Sequence, residues 1–131
     1  MAGYTHMSML DVEDAAEKFG LGETHESRFA HPDFEAEQTG FSLHRFKPGK
    51  RQPFGHRHDD AEEVYFVVSG SGRMKVGDDI LELQPFEAVR VSPGVMRSFE
   101  AGGEGLDILA FGPRHAEDRG EVVQGWWADE G

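Results

Sequence analysis

A chain of 131 residues suits one modest core, and 37% hydrophobic residues, with ten Phe and two Trp, exclude a disordered polymer. A formal charge of −12, from 25 acidic against 13 basic residues, argues against nucleic acid and anionic membranes as partners and for a well-solvated surface. The absence of cysteine excludes disulfides, thiolate metal sites and a Cys nucleophile, and is compatible with a reducing, cytoplasmic setting.

Residues 1–6 (MAGYTH) read as a cloning remnant ahead of Met7, so the domain is expected to run over 7–131. No basic region followed by an apolar stretch marks a leader, and no apolar run approaches the roughly 20 residues of a membrane helix. "DVEDAAEKFG" predicts a short helix with Asp11 as its N-cap and Gly20 at its end. Val12, Ala15, Ala16 and Phe19 would share one face of it. From residue 40 the texture changes to short alternating runs: "FSLHRF", "EVYFVVS", "RMKV", "ILEL", "EAVRV", "MRSFEA" and "LDILAF". Turn signals separate them, among them "KPGK", "SGSG", "GDD", "QPF", "SPG", "AGGEG" and "GPRH". Strands at this spacing without intervening helices predict an all-β antiparallel sandwich or barrel. "RMKVGDDILEL" predicts a hairpin with Gly77, Asp78 and Asp79 at its tip. In the tail, Trp126 and Trp127 are too apolar to leave in water, so they are expected to cover the barrel or a subunit interface.

The chemistry concentrates in "GHRHDDAEEVYFVVSGSG", residues 55–72. Residues i and i+2 of a strand point to one side, so His56 and His58 aim together. Two imidazoles with a carboxylate from a neighbouring strand make a mixed N/O site suited to Mn, Fe, Ni, Zn or Cu. Glu62 and Glu63 compete for the third position, and alternation allows only one to face inward; Tyr65 and Val67 share the parity of Glu63.

His56-Arg57-His58, four residues, Glu63, six residues and Gly70 resemble the first motif of the cupin family, G-x5-H-x-H-x(3,4)-E-x6-G, with the opening glycine, Gly49, one position early. The resemblance covers about residues 40 to 112 and selects Glu63 over Glu62. It implies a cupin-type (jelly-roll) antiparallel β-barrel with a short N-terminal helix, an internal pocket, a small-molecule ligand and a homodimer. It also implies a divalent transition metal on His56, His58 and Glu63; no organic cofactor is indicated.

The second motif, G-x5-P-x-G-x2-H-x3-N, is degenerate: Phe86, Ser92, Gly94, Arg97 and Ala101 stand at its positions. Arg97 replaces the family's fourth ligand, and a guanidinium offers no lone pair to a cation. Three outcomes stay open. The three first-motif ligands hold the ion alone; His44 stands in as the fourth; or the metal is lost and Arg97 pairs with Glu63 or binds an anionic ligand. Arg97, Tyr65 and His44 are therefore the ligand-binding candidates. Phe86 is assigned to packing. Arg45 and Arg90 are expected to face solvent, as are His31 and His115. The expected activity is a metal-dependent enzyme on a small anionic substrate, with its catalytic residues unassigned. The alternative is a metal-free binding protein that uses Arg97 and the pocket.

Overall fold

Alternation of apolar and polar residues, broken by glycine and proline, gives a molecule of strands paired antiparallel throughout. The computed structural model describes residues 3–114 and 119–128; His115 and the first two residues lie outside the described residues. The strands are β1 (His25–Phe29), β2 (Thr39–Phe46), β3 (Phe54–His58), β4 (Glu63–Val76), β5 (Asp79–Leu83), β6 (Ala88–Val91), β7 (Arg97–Pro113) and β8 (Gly120–Gln124). They lie in the order β1-β2-β7-β3-β8, and β4 joins β7 to β5 and β6. The result is an all-β barrel. Among the described residues no helix is long and apolar enough to cross a membrane.

Two expected turns are not turns. "SGSG" lies within β4, and "AGGEG" lies within β7. The long strands pair with each other and bend through register shifts at Val67/Ser69 and Gly70/Gly72. Gly70 has φ +79°, and a Cβ there would stand 2.1 Å from the Gly105 carbonyl oxygen. Glycine thus lets the backbones approach and curve where the sequence suggested reversal. The hairpin between β4 and β5 forms, with Gly77 at φ +56° and Asp78 at its tip, while Asp79, expected there, opens β5 opposite Val76.

Alternation along the bent strands turns one face inward. Phe46, Tyr65, Val67, Met74, Leu83, Val91, Phe99, Leu106 and Ile108 form the buried core cluster with Ala101 and Ala110. Burying each large side chain contributes about 1.5–3 kcal/mol.

The N-terminal helix is shorter than expected and capped elsewhere. A 3-10 turn at Met9–Asp11 precedes α1 (Ala15–Lys18), whose N-cap is Asp14 rather than Asp11. The Asp14 carboxylate accepts from the amides of Ala16 and Ser27, at 3.0 and 2.9 Å. That second bond ties the helix to β1, which is the gain that moves the cap. Val12 and Ala16 are buried, whereas Phe19 is 77% exposed. Phe86 also departs from its assignment to packing: it has φ +69° and is 79% exposed.

Trp126 and Trp127 both pack within the chain. Trp127 is buried, with the Arg51 guanidinium 4.4 Å from its ring centroid. Trp126 takes the Lys75 ammonium at 4.3 Å and lies over Gly55.

Candidate metal centre

β3 presents His56 and His58 on one side, and β4 begins at Glu63. Their donor atoms, two imidazole nitrogens and one carboxylate oxygen, all lie within 4.8 Å of one another. The Glu63 Oε1 atom is the meeting point. It stands 3.5 Å from His58 Nε2, 3.9 Å from His56 Nε2 and 3.7 Å from Arg97 Nη1. The Tyr65 hydroxyl donates to the same oxygen and lies 3.3 Å from His56 Nε2. The Glu62 side chain is half exposed and pairs with Arg90 at 3.3 Å, and Glu63 is the carboxylate that joins the histidines.

Electrostatics hold this cluster in a defined state. Burial would raise the Glu63 carboxyl, but hydrogen bonds from His56, His58 and Tyr65 outweigh it and hold the group well below the usual carboxylate range. Burial, then the neighbouring Glu63 charge, pushes the Tyr65 phenol upward, so it stays protonated. Glu63 is thus an ionised acceptor and Tyr65 a donor at neutral pH.

Arg97 is fully buried. It is the register partner of His56 across β3 and β7, and its guanidinium carbon lies 5.9 Å from the Tyr65 ring centroid. Among the described residues its Nε and Nη1 atoms find no hydrogen-bond partner. Arg97 does not line the cavity in front of the histidines. Of the outcomes left open for it, the geometry displays the pairing with Glu63; a clamp on a ligand carboxylate would need it to reach past Tyr65 and Glu63.

That cavity measures about 620 Å³ and is lined by His56, His58, Glu63 and Tyr65 at one wall and by His44 at another. Phe29, Phe41, Phe46, Phe54 and Phe99 supply much of the remainder. His44 does not join the donor group. Its Nδ1 is 2.8 Å from the Ser27 hydroxyl and its Nε2 is 2.7 Å from the Ser42 hydroxyl. Burial lowers its pKa to about 4, so the ring is neutral at pH 7. With both nitrogens occupied it is not placed to serve as a fourth ligand.

Sequence reading missed Ser27 and Ser42. Ser42 was accessible by parity, since Ser42, His44 and Phe46 alternate in "FSLHRF". Ser27 carried no such signal, because "HESRF" shows no apolar alternation. Arg45 pairs outward with Glu26 at 2.7 Å, as expected of a solvent-facing arginine. His31 is exposed but stands at the cavity mouth.

The donor set fits a divalent transition metal. Two imidazoles from β3 and one ionised carboxylate from the start of β4 converge with no competing thiolate.

Comparison with known proteins adds the wider frame. The family model described as "Cupin domain" matches residues 42–110. No curated protein matches the chain. Among solved structures, a cupin protein from Bacteroides fragilis is 22% identical with a TM-score of 0.70, over 100% of this chain and 97% of that one. The polyketide cyclase RemF from Streptomyces resistomycificus is 20% identical, TM-score 0.70, over 95% and 87% of the two chains. A sugar phosphate isomerase of the cupin superfamily from Silicibacter pomeroyi is 15% identical, TM-score 0.70, over 90% and 81%. At these identities the likeness speaks for the fold.

Proposed function

The chain belongs to the cupin family, and from that premise we propose that it is a metal-dependent enzyme acting on a small molecule held inside the barrel. The observation that carries this reading is the convergence of His56, His58 and Glu63 on a cavity whose lining includes five phenylalanines. Family membership leaves the reaction to the site, since described relatives include a cyclase and an isomerase.

His56, His58 and Glu63 would hold the ion, with Mn, Fe, Ni, Zn and Cu all compatible with the N/O donor set. A metal bound there would polarise a substrate oxygen as a Lewis acid. The chain's own residues do the rest. Glu63 is kept ionised by its hydrogen bonds. Tyr65 keeps its proton at the Oη atom and donates it to Glu63 Oε1, which holds that oxygen beside the imidazoles. The phenylalanines on the lining place apolar surface beside the donor group, which strengthens the charge interactions there. Arg97 acts behind Glu63 as a positioning residue and lowers the cation affinity by its charge.

Elemental analysis after supplementation with the five metals tests this reading. Wild type is expected to retain about one ion per chain, and the His56→Ala/His58→Ala variant close to none. Equal metal in both overturns the enzyme reading as stated. Arg97→His is expected to raise occupancy by supplying a neutral imidazole in place of the guanidinium.

The Arg97–Glu63 pair favours a second reading, in which the carboxylate is already neutralised and the cavity binds a small molecule without metal. Metal retention by wild type but not by the double histidine variant decides between the two.

A further inference from the structure

The wall built by β1 and β2 carries polar groups that the metal centre does not use. Ser27 and His44 are register partners, and Ser42 shares a face with His44 two residues away. Both serines are buried, at 6% and 5% exposure, yet both line the cavity. The Phe29 ring stands edge-on to His44 with centroids 5.5 Å apart.

We propose that Ser27, His44 and Ser42 form a second polar subsite that reads a hydroxyl or carbonyl oxygen on a largely aromatic ligand. The inference rests on the cavity being a small-molecule site and adds the ligand's class. Its chemistry follows from the histidine. A neutral imidazole has one N–H and one bare nitrogen. One serine must donate to the bare nitrogen, and the other must accept from the N–H. The accepting serine keeps its own O–H to give, and the donating serine keeps lone pairs to receive. Either tautomer therefore offers the cavity one donor and one acceptor side by side. Among the described residues neither serine hydroxyl has another side-chain partner. A ligand hydroxyl would satisfy both. The five phenylalanines favour a ligand body of flat apolar surface; Arg57 and Arg114 are also on the lining, whereas Arg97, buried behind Glu63, is not.

The matched pair 2-naphthol and naphthalene, differing by one hydroxyl, provides the probe, with dissociation constants from chemical-shift titrations of the full-length chain. Wild type is expected to bind 2-naphthol roughly 2- to 10-fold more tightly, the range of one net hydrogen bond. In Ser27→Ala/Ser42→Ala the preference falls to near unity while naphthalene affinity is unchanged; Ser27→Ala/Ser42→Thr, which restores one hydroxyl, recovers part of it. The His56→Ala/His58→Ala variant is expected to keep the preference. A preference that survives loss of both serines, or is absent in wild type, overturns the subsite. A preference lost with the histidines and kept without the serines assigns the oxygen to the metal centre, which overturns the subsite and leaves the proposed function standing. Loss of naphthalene affinity in the double serine variant makes the serines structural and ends the proposal. Failure of both probes to bind wild type overturns the ligand class, while metal retention is decided separately by elemental analysis.

Discussion

Phe86 holds a left-handed backbone at φ +69° with its ring 79% in solvent. A residue with a Cβ pays about 1–2 kcal/mol for that conformation, and glycine costs about 0.5–1 kcal/mol in extra unfolded freedom. Phe86→Gly should therefore stabilise the fold by a few tenths to 1 kcal/mol. The expected result is a higher urea midpoint at unchanged slope; a lower midpoint shows that the contact with Phe66, at 6.1 Å between centroids, outweighs the strain. The departure from glycine at this position was plain in the sequence. Its exposure was not, because burial depends on which strand edge the turn overhangs. Arg97 follows the same logic. Its position could be counted from Gly94, but its direction, towards Glu63 and away from the cavity, depends on register with His56.

At the scale of elements, Glu100 on β7 ties three segments together. It accepts from Arg51 Nε at 2.8 Å and from Arg73 on β4 at 2.6 Å, while Arg51 stacks on Trp127. Burial would raise the Glu100 carboxyl, but hydrogen bonds from Arg73 and then Arg51 dominate and lower it. A lowered folded value means stability that is present above the unfolded value of about 4.5 and lost as pH falls through the folded one. Glu100→Gln should cost about 1 kcal/mol at pH 7, and the difference from wild type should shrink towards pH 3. Chemical denaturation at the two pH values checks this; a constant difference would show that the contribution is not ionic. Most strands between residues 40 and 112 were legible because their inward residues are apolar, and β3 through its paired histidines. β1 was not, because its inward residues, His25 and Ser27, are polar. A strand whose buried face serves a cavity hides from a hydrophobic pattern. "SGSG" misled for a related reason: glycine marks close backbone approach as readily as reversal.

For the whole molecule, a charge of −12 on 131 residues makes self-repulsion a general cost of compactness. Raising salt from about 0.01 to 0.15 M shortens the screening length from roughly 30 to 8 Å, which weakens long-range repulsion more than close pairs such as Glu26–Arg45. The melting temperature should rise over that interval in a thermal scan, and a fall would mean that the close pairs dominate. The family was legible from spacing alone, since His56, His58, Glu63 and Gly70 fix strand and bend together. The part of the cavity lining formed by Ser27, His44 and Ser42 was not, since it is assembled across β1 and β2 by register. β3 bears both histidines, yet its ladder runs along β8, and it touches β7 in register only at His56↔Arg97. Trp126 lies so close over Gly55 that a Cβ there would stand 2.6 Å from the indole. The two imidazoles are thus moored from the opposite end of the polypeptide. A change near Trp126 would reach them as slack in the mooring, and whatever grips the imidazoles tightens the tail in return, by the reciprocity that binds any two coupled equilibria.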